Sequence, residues 1–152
     1  MQVYRLARRP YATQLDGQGA ALFGGRWNSV GQPVVYTARH RSLAVLEYRV
    51  NNPLPVQDLI MVTVEVPEDS LQRIALRDLP ADWMRYTLGG LCPKLGDRWL
   101  TERRSLLLEV PSAVVAQEHN VLINPLHPMM NRSKVLDVSP FLVDRRMYSS
   151  SE

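Results

Sequence analysis

The chain has 152 residues, 45% of them apolar and 22% charged, and its 18 basic against 15 acidic side chains leave a net charge of +3. This is the size of one domain with material for a real core, and it excludes general disorder. A single cysteine, Cys92, excludes an internal disulfide; no run of about 18 apolar residues could span a bilayer, and MQVYRLARRPY has no signal-type apolar region, so the expected location is the cytoplasm.

In chain order, QVYRL (2–6) predicts a short edge strand, followed by a polar, glycine-bearing loop, PYATQLDGQGA. GGRWN then leads through the turn signal NSVGQP into a strand at PVVYTA. SLAVLEYRVNN predicts a helix over 42–52, with Ser42 as N-cap and Asn-Asn-Pro as the stop. LIMVTVEV (59–66) alternates, placing Ile60, Val62, Val64 and Val66 on one face of a half-buried strand. PEDSLQRI reads as a helical turn, DLPADWMRY is ambiguous, and KLGDRWLTERRS reads as a short helix carrying Trp99. SLLLEVPSAVV predicts a buried strand ending at Pro111, HNVLINP another, and KVLDVSPF the last. With no repeat, linker or second domain, the expectation is a single mixed α+β domain over 1–145 and a polar, frayed tail at 146–152.

Sixteen of the basic residues are arginines. Arginine suits planar, two-pronged binding of phosphate or carboxylate, so an anionic partner is favoured, although compositional drift would give the same bias. One of them, Arg26, lies between two glycines and a Trp-Asn pair in FGGRWN, where the backbone permits close approach.

The helix at 42–52 carries an anomaly. At about 100° per residue Leu43, Leu46, Glu47 and Val50 share one stripe, so a carboxylate points where the core should be. It is too far from Ser42 to belong to a capping box. Such an acid is either ion-paired, with Arg26 the natural partner, or it faces a cleft. Arg26, Tyr36 and Glu47 fall in successive elements that could converge. An arginine holds a phosphate or diphosphate, a tyrosine ring stacks on a planar heterocycle, and a carboxylate stabilises positive charge on a sugar whose glycosidic bond is breaking. Tyr36 read alone is a core aromatic, Trp27 a packing residue, Ser112 a turn or cap at a strand end, and Asn124 a turn residue before Pro125. His40, His119 and His127 are scattered without metal-ligand spacing, so no metal is expected. G-x-S-x-G, the P-loop and the Rossmann fingerprint are absent.

GGRWNSVGQPVVYTARHRSLAVLE, LLLEVPSAVV and NVLINPLHP, in this order and spacing, resemble the RES domain, named for an arginine, a glutamate and a serine. The resemblance implies a fold like the diphtheria-toxin-like ADP-ribosyltransferases. It also implies the toxin of a bacterial RES–Xre toxin–antitoxin pair, which consumes NAD by hydrolysis or phosphorolysis; some relatives instead transfer ADP-ribose to a protein. By the same resemblance the family's arginine, tyrosine, glutamate and serine fall on Arg26, Tyr36, Glu47 and Ser112. Arg26 then holds the NAD diphosphate or a ribose phosphate, Tyr36 packs on the nicotinamide, Glu47 stabilises the ribosyl cation, and Ser112 helps position ribose or amide. Arg5 is a further candidate phosphate contact. The family also implies an Xre-type helix-turn-helix antitoxin over the site entrance and a toxin homodimer in that complex. Residues 67–98 carry little of the motif. A non-catalytic nucleic-acid binder is the remaining class, but it gives an inward carboxylate no role.

Overall fold

A computed structural model describes residues 1–85 and 90–148. Seven strands form one sheet: β1 (Gln2–Arg8), β2 (Val35–Ala38), β3 (Leu59–Glu65), β4 (Leu71–Arg73), β5 (Leu107–Pro111), β6 (His119–Ile123) and β7 (Lys134–Phe141), in the order β4-β5-β6-β2-β1-β3-β7. Neighbours are antiparallel except β4 and β5. Three helices accompany them, α1 (Gln18–Phe23), α2 (Arg41–Asn51) and α3 (Leu91–Glu102). The architecture is the single mixed, sheet-dominated domain expected.

Several local expectations need correction. β1 is not an edge strand: it pairs along its whole length with β3 and touches β2 on its other side. β3 is buried on both faces from Leu59 to Val64, because α2 covers the face that alternation had left to solvent. The loop before GGRWN gives way at Gln18 to the short helix α1, whose first N–H is met by the Asp16 carboxylate. α2 starts at Arg41, with His40 in extended backbone at the cap position and no side-chain cap bond; Ser42 lies inside the first turn. PEDSLQRI contains a 3-10 turn at Glu68–Ser70 but continues as β4. α3 starts at Leu91 rather than Lys94, with Pro93 in the first turn, where a missing N–H costs nothing. At the boundary of the expected tail, Arg145–Met147 form a 3-10 turn and Arg49 donates to the Met147 carbonyl at 2.7 Å; residues 149–152 of that tail lie outside the described part.

Side-chain alternation divides the core between the two sheet faces. One face holds Val3, Val35, Ile60, Val62, Val64, Leu107, Val121 and Ile123, covered by loop residues such as Ala12 and Met130. The other is covered at its two ends. α3 packs Trp99 and Leu100 with Trp27, Leu108, Val110 and Leu122, while α2 packs Leu43 and Ala44 with Leu6, Ala38, Leu59 and Met61. Leu43 is wholly buried, which is worth about 1.5–3 kcal/mol and fixes how deep α2 sits. A cavity lined from α1 and α2 lies beside two local features of the sheet and the GGRWN loop. β1 and β2 pair only at Tyr4 and Ala38, so the sheet splays beyond that point. Gly96 lets α3 lie directly on the backbone of the GGRWN loop, since a Cβ there would come within 1.7 Å of the Trp27 carbonyl oxygen.

Candidate active site

The GGRWN loop folds around Asn28. Gly25 and Asn28 form an isolated bridge, and the buried Asn28 amide donates to the carbonyls of Ala20 and Gln32, both at 2.9 Å. Tyr36, on β2, donates its phenol to Asn28 Oδ1 at 2.7 Å and accepts from the Trp27 N–H at 3.1 Å. Gly25 is required at this spot, because a Cβ would sit 2.7 Å from the tyrosine oxygen. Trp27 enters the core, while Arg26, its neighbour, lines the cavity. The Tyr36 hydroxyl thus serves as a fastening, while the residue lines the cavity.

The cavity measures about 880 Å³, in the upper part of the range of roughly 300–1,000 Å³ for small-molecule sites. Arg5, Arg26, Tyr36 and Glu47 all line it. Arg26 donates through one guanidinium nitrogen to the carbonyls of Trp83 (3.1 Å) and Met84 (2.9 Å), and lies 5.9 Å from the Trp83 ring centroid. Arg5 donates to the Gln14 carbonyl at 2.6 Å. Burial lowers the Arg5 pKa from its ordinary value, and Asp16 acts in the opposite sense. Among the described residues neither guanidinium has a carboxylate within ion-pair distance. Both guanidiniums line the cavity outside any direct ion pair, which leaves donors for an anionic ligand.

Glu47 departs from the expected stripe. Leu46 and Val50 are 40% and 61% exposed, while α2 buries Leu43 and Ala44. The face toward the cavity carries Ala44, Glu47, Tyr48 and Asn51, which share a helical row. Glu47 is therefore not a charge set among core side chains, and no ion pair joins it to Arg26. Its Oε1 accepts from Ser112 Oγ at 2.8 Å and from Asn120 Nδ2 at 2.6 Å. Ser112 follows the last residue of β5 and is wholly buried (0% exposed). Its oxygen also accepts from the N–H groups of Val114 (3.0 Å) and Val115 (3.1 Å), so its one proton is left for Glu47. Ser112 reaches the cavity through that carboxylate.

Asn120 is the site residue that sequence reasoning missed. It lies on β6 opposite Ala38 of β2, and HNVLINP carries no pattern separating it from any half-buried strand asparagine. Asn124 is more than a turn residue, since its buried amide donates to the Leu100 carbonyl at 3.0 Å and ties α3 to the end of β6.

The RES domain matches residues 2–144, and the chain belongs to that family. It is 35% identical to Toxin Res of Photorhabdus laumondii subsp. laumondii over 100% of both chains. It is 39% identical to the Prs ADP-ribosylating toxin of a Sphingobium species, over 93% of this chain and 91% of that one. Among solved structures it is similar to the M. tuberculosis MbcT–MbcA toxin–antitoxin complex, with a TM-score of 0.75 over 92% of this chain and 83% of that chain; at 16% identity the likeness is one of fold. No helix among the described residues is long and apolar enough to cross a membrane.

Proposed function

We propose that this chain is the toxin of a bacterial toxin–antitoxin pair and that its cavity cleaves the bond between nicotinamide and ribose in NAD. The observation that carries the reading is Glu47, held by Ser112 and Asn120 through one oxygen, in a cavity that also holds two arginines outside any ion pair among the described residues. Arg26 and Arg5 bind the diphosphate, and the Tyr36 ring forms the wall for the nicotinamide. As the C1′–N bond breaks, nicotinamide leaves with the electron pair and the ribose acquires oxocarbenium character, which the ionised Glu47 stabilises. A nucleophile then adds at C1′. Ser112 acts as a positioning residue for Glu47. The diphtheria-toxin-like architecture implied by the sequence resemblance belongs to this same reading. So do a cytoplasmic location and an Xre-type antitoxin that covers the entrance of a homodimeric toxin; the toxin–antitoxin complex among the structural relatives supports an antitoxin partner.

Water or phosphate as the acceptor gives NAD depletion. Transfer to a protein is the second reading, favoured by the similarity to the Prs ADP-ribosylating toxin of Sphingobium. It is also favoured by the apolar rim of the cavity, where Phe23 is 81% exposed beside Tyr11 and Val50. Incubating the purified protein with labelled NAD, with and without phosphate, separates the two. Depletion leaves free nicotinamide and ADP-ribose or its phosphate, and transfer leaves label on a protein. Intact NAD under all conditions, with candidate acceptor proteins present, overturns both.

A further inference from the structure

Asn120 offers the cavity more than a hydrogen bond to Glu47. A carboxylate has only acceptors, so the amide turns its NH₂ toward Glu47 Oε1 and its carbonyl away from it. Among the described residues no protein donor reaches Asn120 Oδ1, that oxygen is not a buried orphan, and Asn120 lines the cavity. Glu47 repeats the pattern. Both of its protein donors converge on Oε1, and Oε2 has none. Two acceptors, one charged and one neutral, are therefore left without protein donors on two residues that the 2.6 Å bond joins. Their chemistry matches a vicinal diol, whose two hydroxyls each donate one hydrogen bond.

We infer that Asn120 is a further residue of this site with two roles. Its Nδ2 positions the Glu47 carboxylate, and its Oδ1 accepts from one hydroxyl of the ribose that bears nicotinamide, while Glu47 Oε2 takes the other. The inference rests on reading the cavity as an NAD site. It makes the enzyme selective for a ribose with both hydroxyls intact and explains why a strand residue opposite Ala38 stays polar in an otherwise apolar row with Val110 and Leu122.

The test compares the parent with Asn120→Ala on NAD and on the two analogues lacking the 2′- or the 3′-hydroxyl of the nicotinamide ribose. On NAD the substitution lowers kcat/KM roughly 10- to 100-fold. On one of the two analogues that penalty shrinks by about 10-fold, because the hydroxyl that Asn120 accepts from is already gone. A residue that only supports the fold gives the same penalty on all three substrates, and that result overturns the inference, as does unchanged turnover of NAD. Asn120→Ser carries the same comparison if the alanine variant does not fold. Glu47→Gln is measured beside them. If the parent cleaves NAD and Glu47→Gln does not, an unaffected Asn120→Ala contradicts the role of Asn120 alone. An active Glu47→Gln contradicts the reading of the cavity, and this inference with it.

Discussion

Ser112 and Glu47, 65 positions apart, meet at 2.8 Å, serine donating and glutamate accepting. The contact joins the end of β5 to the middle of α2. Because two backbone N–H groups already occupy the serine oxygen, its hydroxyl proton has one direction left. Ser112→Ala removes that donor and strands the N–H groups of Val114 and Val115. The expected cost is about 1–3 kcal/mol in folding stability and about a 10-fold loss of kcat. Urea denaturation and steady-state kinetics on the same preparation read both.

Arg26 is braced by the carbonyls of Trp83 and Met84 and directed into the cavity. Arg26→Lys keeps the charge and loses the planar, multiply bonded head. NAD binding weakens by about 10-fold, measured by calorimetry in a Glu47→Gln background so that substrate survives the titration. Binding equal to that of the Arg26 protein contradicts a role in holding the diphosphate.

Gly96 sets the distance between α3 and the GGRWN loop. Gly96→Ala forces a methyl group against the Trp27 carbonyl oxygen, 1.7 Å from where it would be built, and one of the two segments has to move. Stability falls by at least about 1–3 kcal/mol, visible as a lower melting temperature. Activity falls with it, since the same loop carries Arg26.

Burial raises the pKa of the Cys92 thiol from its ordinary 9.0, with Arg26 acting in the opposite sense. Between the unfolded and folded values the unfolded chain has lost a proton that the folded chain keeps, so stability declines as pH rises through that window. Cys92→Ala removes this contribution. Denaturant midpoints at pH 7, 8, 9 and 9.5 fall more steeply for the parent than for the variant, and parallel curves contradict the assignment.

Periodicity made the strands at β2, β3, β5, β6 and β7 legible, together with both longer helices, because each contains a run whose apolar spacing fits one element. It could not say which strand lies beside which. QVYRL looks the same at an edge as in the middle, and only the pairing of β1 with both β2 and β3 decides. The helical row of Glu47 was ambiguous for a related reason. Leu43, Leu46, Glu47 and Val50 form one stripe, and Ala44, Glu47, Tyr48 and Asn51 another. Which of them meets protein depends on where the sheet ends and the cavity opens. The convergence of Arg26, Tyr36 and Glu47 on one cavity was legible from their spacing through consecutive elements. Asn120 was not, since its significance lies in a side-chain contact 73 positions away in sequence.

The central claim is that the Glu47 carboxylate acts on bound NAD. The most direct measurement records NAD affinity and nicotinamide release side by side for the parent and Glu47→Gln, which keeps shape and removes charge. The account predicts affinity within about threefold of the parent and release at least about 100-fold slower. Release at the parent's rate contradicts it and returns Glu47 to the role of a packing residue.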